Sequence, residues 1–221
     1  MTALASFMGL ALETTEDVLI PRAETELLAR TAIDLLSEVT SPSPRVIDMC
    51  CGSGNLACAL AHQRPDVRVW ASDLTDACVA LARRNVARLG LEGRVEVTQG
   101  DLFAPLAGAG LEHGADLVVC NPPYISTGRL AGESAHLLQG QPREAFDAGP
   151  YGLSIHTRVI KDAPTFMRPG GWLAMEIGLG QDKQIERLFA RASLFDAPRQ
   201  LQDSSGAPRV MVARLRALQS E

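Results

Sequence analysis

The turn at residues 121–124, Asn-Pro-Pro-Tyr, could hold a planar nitrogen group beside a cation. Asn121 offers an amide, the two prolines offer carbonyls with no competing N–H, and Tyr124 offers an aromatic face. The apolar run 116–120 predicts a buried strand, which the prolines must end because they cannot donate to a β-ladder. The turn is therefore predicted at the carboxyl end of a strand, where open α/β sheets bind their ligands.

A loop at residues 48–55 follows a predicted strand and opens a predicted helix. Gly52 and Gly54 permit a sharp turn and a close approach to a ligand, and the helix N-terminus offers free N–H groups. Asp73 can accept both ribose hydroxyls of a nucleoside, and Asp101 can accept from an adenine amino group. The predicted nucleoside-binding residues are Asp48, Cys50, Gly52, Gly54, Asn55, Asp73, Leu74, Asp101, Leu102 and Asn121.

The glycine pattern alone does not choose between two cofactors. Gly52, Gly54 and Ala57 also fit a dinucleotide fingerprint, so NAD and S-adenosylmethionine are about equally compatible with those positions. Asp48 favours S-adenosylmethionine because a carboxylate there suits a ligand ammonium group and repels a pyrophosphate. The turn after residue 120 favours it further.

The elements around these motifs follow a βαβ order. Helices are predicted at residues 23–38, 55–62, 76–89, 152–167 and 182–192. Strands are predicted at residues 46–48, 67–72, 95–99, 117–120, 172–177, 194–202 and 209–215. This order predicts an α/β protein with a Rossmann-like, doubly wound, seven-stranded, mostly parallel sheet whose last strand is antiparallel.

Two regions are expected to close over the site. Residues 1–40 are predicted to form an N-terminal arm and a helix that cap it, with a hairpin made of segments 9–13 and 18–21. Residues 41–221 are predicted to form the cofactor-binding domain. Segment 126–150 has little periodicity, and long loops in compact domains are usually functional, so we predict a lid there.

Several segments resemble protein-glutamine methyltransferases of the release-factor type, which are class I S-adenosylmethionine-dependent enzymes. The matching segments are residues 18–28, 121–124, 141–149, 169–178 and 209–214. The resemblance covers nearly the whole chain, from about residue 10 to residue 215. It implies the cofactor S-adenosylmethionine and an amide or amine nitrogen as acceptor.

Three features depart from that family's pattern. Its members carry a helical N-terminal domain that grips the protein substrate, whereas only residues 1–17 precede the first matching segment here. Cys50 stands at the first glycine position of the usual Asp-x-Gly-x-Gly-x-Gly loop, and residues 150–151 replace an acidic pair. We therefore expect the acceptor to be a small molecule or a short peptide segment.

The turn is expected to bind the acceptor. Asn121 Oδ1 and the Pro122 carbonyl would accept the acceptor's N–H bonds, and Tyr124 would lie over the acceptor or near the sulfonium. These three are the predicted catalytic residues. Predicted substrate contacts are Arg22, Glu24, Thr25 and Pro123, where Arg22 could instead pair with Glu24 or Glu26. Glu24, Glu176 and His156 are candidate bases, for which a structural role is the simpler interpretation.

Composition narrows the remaining choices. A chain of 221 residues, 46% of them hydrophobic, suits one domain, and a net charge of −5 argues against nucleic acid as a partner. The five cysteines include no CxxC pair, which argues against disulfides and a metal site and predicts buried, reduced thiols. The absence of a basic leader or a long apolar run predicts a cytoplasmic protein without membrane contact.

Two other reactions remain compatible with the sequence. A pocket closed by the arm could cyclise S-adenosylmethionine itself, giving azetidine-2-carboxylate and methylthioadenosine, as methyltransferase-like enzymes of natural-product pathways do. The Asn-Pro-Pro-Tyr turn also serves adenine amines in nucleic-acid methyltransferases. The favoured prediction is an N-methyltransferase.

Overall fold

The computed structural model describes residues 3–125 and 152–217. The helices are α1 Thr25–Ser37, α2 Asn55–Gln63, α3 Asp76–Arg88, α4 Ser154–Phe166 and α5 Asp182–Ala192, with a 3₁₀ turn at Ala104–Leu106. The strands are β1 Ala3–Phe7, β2 Leu10–Thr14, β3 Arg45–Met49, β4 Arg68–Asp73, β5 Val95–Gln99, β6 Ala115–Cys120, β7 Met167–Glu176, β8 Arg199–Gln202 and β9 Pro208–Arg214. The predicted lid at 126–150 lies outside the described residues.

Seven strands form one sheet in the order β5-β4-β3-β6-β7-β9-β8. The pairs from β5 to β7 are parallel, and β9 runs antiparallel to both of its neighbours. The order reverses between β3 and β6, so their carboxyl ends flank a crevice of the kind that binds ligands in such sheets. The predicted doubly wound sheet with an antiparallel last strand is confirmed.

Helices cover both faces of the sheet. One core contains residues of α1, α2, α3 and the β1–β2 hairpin, and the other contains residues of α4, α5 and the 3₁₀ turn. Every residue of β6 is buried, as expected for a central strand covered on both faces. Side chains along β6 alternate between the cores, Leu117 facing one and Val118 the other.

The pairing of β3 with β6 brings the two predicted motifs together. Met49 and Cys120 are register partners at the ends of these strands. Because parallel strands end at the same edge of a sheet, Cys50 and Asn121 leave the sheet side by side. The cofactor loop and the Asn-Pro-Pro-Tyr turn are therefore neighbours, although 70 residues separate them along the chain.

An N-terminal hairpin exists, and the predicted segment 9–13 nearly coincides with its strand β2, but the predicted partner segment 18–21 is wrong. Its strands are β1 and β2, joined at Met8 and Gly9, whose φ angles of 50° and 81° suit a two-residue hairpin turn. Segment 18–21 forms no strand. Asn85 of α3 anchors the hairpin, accepting from the Glu13 N–H at 2.7 Å and donating to the Glu13 carbonyl at 3.1 Å.

Two other strand boundaries differ from prediction. β7 was predicted to begin at residue 172 but begins at Met167. Residues 169–171, which were interpreted as a helix stop, lie inside the strand opposite a shift in its register with β6. β8 begins only at Arg199, since Pro198 has no N–H for the ladder. In the described segments, none of the helices is both long and apolar enough to cross a membrane.

Candidate functional site

A cavity of about 310 Å³ opens at the carboxyl ends of β3, β4 and β6. This volume lies within the range of small-molecule sites, about 300–1,000 Å³. The predicted residues that line it are Cys50, Gly52, Asp73, Leu74, Asp101, Leu102, Asn121 and Pro123. Other residues that were not predicted from the sequence also line it, among them Asp17, Leu19, Thr75, Cys78 and Ile155.

The loop after β3 bends through three left-handed residues. Cys50, Gly52 and Gly54 have φ angles of 58°, 53° and 77°. Glycine adopts this conformation without strain, whereas a residue with a Cβ atom pays about 1–2 kcal/mol. Cys50 therefore occupies a backbone position that suits glycine. A Cβ atom at Gly54 would lie 3.1 Å from the Ala82 Cβ, so this glycine also lets α3 approach closely.

Asp73 connects the end of β4 to this loop. Its Oδ2 accepts a hydrogen bond of 2.9 Å from the Gly52 N–H, and its Oδ1 accepts one of 3.3 Å from the Thr75 N–H. Each carboxylate oxygen can accept more than one hydrogen bond. Asp73 can therefore hold the loop and still accept from a ligand in the cavity.

Asp48 lies beneath the loop and does not line the cavity, unlike the prediction. Side chains alternate along a strand, so Asp48 shares the face of Val46 and points at α2, where its Oδ2 accepts from the Ala57 N–H at 3.0 Å. Burial raises the pKa of Asp48 to about 8. The hydrogen bond from Ala57 lowers this pKa, and the nearby charge of Asp73 raises it. Its buried Oδ1 has no hydrogen-bond partner among the described residues.

The cavity suits a cationic nucleoside better than a pyrophosphate. Asp17, Asp73 and Asp101 place carboxylates along it, and no Lys or Arg is among its described lining residues. Asp101 pairs at 2.8 Å with Arg158 on α4, where both side chains are about half exposed. The Leu74 side chain is 61% exposed beside the cavity and offers an apolar face for a base. These residues fit S-adenosylmethionine, which carries an ammonium, a sulfonium and an adenine ring.

A second, narrow cavity adjoins the first. It has a volume of about 20 Å³ and is lined by Leu19, Arg22, Asn121, Pro122, Tyr124, Ile125 and Glu176. Leu19 and Asn121 line both cavities. Asn121 therefore stands between the cofactor cavity and a space that would admit only a slender group.

Hydrogen bonds connect the turn to α1, β7 and β9. Asn121 Nδ2 donates to Thr25 Oγ1 at 3.1 Å, and this hydroxyl donates to Glu176 Oε2 at 2.7 Å. Tyr124 OH donates to Glu176 Oε1 at 3.2 Å, and Arg209 Nη2 donates to Tyr124 OH at 3.3 Å. Arg209 Nη2 also lies 3.6 Å from Glu176 Oε1. We call these five side chains the turn network.

Burial shifts the titratable groups of this region. It raises the pKa of Glu176, opposed by the Thr25 hydrogen bond and the Arg209 charge, and it raises the pKa of Tyr124 to about 12. Burial lowers the pKa of His156 to about 4, and His156 Nε2 lies 2.9 Å from the Glu176 backbone carbonyl. His156 lines neither cavity, and its contact with the Glu176 carbonyl is to the backbone of β7.

Four other predicted site residues face neither cavity. Thr25 is 2% exposed and lies behind Asn121, where its hydroxyl forms hydrogen bonds with Asn121 and Glu176 of the turn network. Glu24 is the exposed N-cap residue of α1. Gly54 is packed against α3, and Asn55 is the first residue of α2.

Arg209 and Gln181 contact the turn but were not predicted as site residues from the sequence. Arg209 is 9% exposed on β9. A charged residue at the start of an apolar run was the one sequence signal that could have marked it as buried. Gln181 Nε2 donates to the carbonyls of Tyr124 at 2.8 Å and Gly152 at 3.1 Å, which ties the turn to the segment before α4. No pattern in the sequence marks that contact.

The cysteines match the prediction only in part. Cys51, Cys58 and Cys120 are buried free thiols, whereas Cys50 and Cys78 are partly exposed at the cofactor cavity. Burial raises the pKa of Cys51 and of Cys120 well above the usual thiol value, which disfavours a nucleophilic role for either. Among the described residues, no cluster of three or more His, Cys, Asp or Glu side chains could hold a metal ion.

Known proteins are similar to this chain in sequence and in fold. The family model of the methyltransferase small domain matches residues 25–149. A release factor glutamine methyltransferase from Moorella thermoacetica is 37% identical over 96% of this chain and 73% of its own length. A ribosomal protein uL3 glutamine methyltransferase from Bradyrhizobium diazoefficiens is 39% identical over 62% of this chain and 42% of its own length.

A solved structure agrees with these sequence matches. The crystal structure of a release-factor-specific protein-(glutamine-N5) methyltransferase from Alicyclobacillus acidocaldarius is 27% identical, has a TM-score of 0.52, and covers 90% of this chain and 95% of that one. The fold of that structure, the matched family model and the carboxylates along the cavity all indicate a methyltransferase that binds a cationic nucleoside. The chain therefore belongs to the release factor glutamine methyltransferase family of methyltransferases, enzymes that use S-adenosylmethionine.

Proposed function

We propose that this enzyme methylates the side-chain nitrogen of a glutamine in a protein, with a release factor as the first substrate to test. The sequence alone favoured a small molecule or a short peptide. The relatives named above act on glutamine in a release factor or a ribosomal protein, which supports a protein acceptor. The observation that carries the proposal is the position of Asn121 between a cofactor cavity and a narrow space.

The larger cavity would hold S-adenosylmethionine, which supplies a methyl group on a positively charged sulfur. Asp73 would accept from the ribose hydroxyls, and Asp101 from the adenine amino group. Leu74 and Leu102 would pack against the adenine ring. Cys50 and Gly52 would bring backbone groups close to the ligand. The buried Asp48 would support the loop from beneath through its hydrogen bond with the Ala57 N–H.

The narrow cavity would hold the acceptor amide. A primary amide on an unbranched chain is slender and planar, as the small volume requires. Asn121 Oδ1 and the Pro122 carbonyl would each accept a hydrogen bond from one N–H group of this amide. The two hydrogen bonds would orient the nitrogen and stabilise the positive charge that develops there. Tyr124 and Pro123 would confine the amide, and Arg22 would contact the polypeptide that carries it.

The N-terminal region would act as a cap on this site. Asp17 and Leu19 line the cofactor cavity, and Arg22 lines the narrow one. We propose that residues 1–40 form this cap and that residues 41–221 form the cofactor-binding domain.

Isotope transfer tests the substrate class. The protein is incubated with S-adenosylmethionine labelled in its methyl group and with an unmethylated bacterial release factor, free glutamine, or no acceptor. We expect label on one glutamine side chain of the release factor and none on free glutamine. Label on free glutamine alone would contradict a protein acceptor. Methylthioadenosine formed without any acceptor would indicate the cyclising reaction instead.

A further inference from the structure

The Thr25 hydroxyl lies between the Asn121 amide and the Glu176 carboxylate. Thr25 is 2% exposed and has one hydroxyl proton, which it donates to Glu176 Oε2 at 2.7 Å. Its oxygen can therefore only accept from Asn121, at 3.1 Å. Only the NH₂ end of an amide donates, so the Nδ2 atom must face Thr25.

The opposite end of the amide is left for the site. Asn121 Oδ1 accepts no hydrogen bond from any described residue, while the Asn121 side chain lines both cavities. An amide rotated by half a turn would present NH₂ to the acceptor, and two N–H groups would then face each other. The rotated form cannot accept from an acceptor nitrogen.

We propose that Thr25 and Glu176 are positioning residues that hold Asn121 with its oxygen toward the acceptor nitrogen. This inference rests on the proposed function, because it takes the group bound at Asn121 to be an N–H donor. Thr25 itself touches neither cavity and acts only through Asn121.

The orientation depends on Glu176 remaining an acceptor. Arg209 Nη2 lies 3.6 Å from Oε1, and Tyr124 OH donates to the same oxygen at 3.2 Å. Burial and the charge of Glu24 raise the pKa of Glu176, whereas these contacts stabilise its ionised form and lower that pKa. Arg22 lines the narrow cavity beside it, and His156 contacts only its backbone carbonyl.

Protonation of Glu176 would reverse the chain of donors. A carboxylic acid can donate to Thr25, whose proton is then free to point at Asn121. The Asn121 amide would turn its oxygen toward Thr25 and its NH₂ toward the acceptor. Turnover should therefore fall on the acidic side as Glu176 gains its proton.

The amide protons of Asn121 report this geometry without any acceptor. The chain contains three asparagines, at positions 55, 85 and 121, so asparagine-selective ¹⁵N labelling gives three side-chain NH₂ pairs in an NMR spectrum. Asn121→Ala assigns the pair by its loss. Asn85 donates to the carbonyls of Glu13 and Ser53 and serves as the folding control. Asn55 donates no side-chain hydrogen bond within the described residues and serves as the free reference.

Two substitutions at position 25 separate the hydroxyl from the shape of the side chain. Thr25→Val keeps the branched shape and removes the hydroxyl, while Thr25→Ser keeps the hydroxyl. We expect slow solvent exchange of one Asn121 NH₂ proton in the wild type and in Thr25→Ser, and exchange as fast as that of Asn55 in Thr25→Val. Fast exchange in the wild type, or slow exchange in Thr25→Val with an unchanged Asn85 pair, would overturn the proposal.

Kinetics provides the second measurement. With the release factor as acceptor, Thr25→Val should lower kcat at least about tenfold and leave the Kd for S-adenosylmethionine within about twofold, and Thr25→Ser should restore kcat. Wild-type kcat in Thr25→Val would overturn the proposal. If the wild type transfers no methyl group, the proposed acceptor is wrong, and the NMR exchange rates still decide whether Thr25 orients Asn121.

Discussion

The carboxylate of Asp73 accepts a hydrogen bond of 2.9 Å from the backbone N–H of Gly52, which ties the end of β4 to the loop after β3. Both residues line the cofactor cavity. The same side chain thus shapes the cavity and offers oxygens to a ligand in it. Loss of Asp73 should therefore weaken cofactor binding more than it disturbs the acceptor site.

Substitution of Asp73 should weaken cofactor binding. Asp73→Ala removes the bond to Gly52 and the proposed ribose acceptor, so we expect the Kd for S-adenosylmethionine to rise at least about tenfold. Asp73→Asn keeps an acceptor oxygen and should have a smaller effect. Titration calorimetry measures both. Asp76→Ala, which removes an exposed carboxylate in the first turn of α3, is the matched control. Wild-type affinity in Asp73→Ala would contradict this assignment.

Cys50→Gly should stabilise the protein. Cys50 has a φ angle of 58°, which costs a residue with a Cβ atom about 1–2 kcal/mol, whereas glycine adopts it freely. Part of this gain is offset because glycine loses more chain entropy on folding, about 0.5–1 kcal/mol. We therefore expect a free energy of unfolding about 0.5–1 kcal/mol above that of the wild type, measured by urea denaturation. Cys50→Ala keeps the strain and should show no such gain; equal stability of the two variants would argue against strain at Cys50.

Asp48 should make the ligand-free protein less stable as the pH rises. Its pKa is about 8 in the folded state, against 3.8 for an ordinary aspartate, because burial disfavours its charge. Between these values the folded state holds one proton that the unfolded state has lost, so the free energy of unfolding falls by about 1.4 kcal/mol per pH unit as the pH rises. Urea denaturation between about pH 5 and pH 8 should show a flatter dependence for Asp48→Asn. Parallel curves for the two proteins would rule out a protonated Asp48.

Arg209 and Glu176 should be strongly coupled. Glu176 is 1% exposed, and its Oε1 lies 3.6 Å from the Arg209 guanidinium. Arg209→Met leaves a buried carboxylate without its charge partner, which costs about 3–5 kcal/mol of unfolding free energy. Glu176→Gln removes that charge, so adding it to Arg209→Met should recover much of the loss. A double-mutant cycle by chemical denaturation measures the coupling, and additive effects would show that the pair does not interact.

The sequence predicted the architecture well because its signals are local. Periodicity predicted a helix at 76–89, and the structure has it at Asp76–Arg88; the glycines and prolines marked both loops of the site. The position of Asp48 was predicted wrongly, since the predicted loop begins with this residue, whereas it lies inside β3 with its side chain toward α2. The contacts of Thr25, Arg209 and Gln181 with the turn join residues far apart in the chain, and no local pattern records them.

Substitution of the asparagine in the turn is the most direct test of the central claim that Asn121 holds the acceptor nitrogen beside the cofactor. Asn121→Ala should bind S-adenosylmethionine with a Kd within a few-fold of the wild type. Mass spectrometry of the release factor should show a methyl group on one glutamine side-chain nitrogen after treatment with the wild type and none after treatment with the variant. Methylation by Asn121→Ala at the wild-type rate would contradict the account.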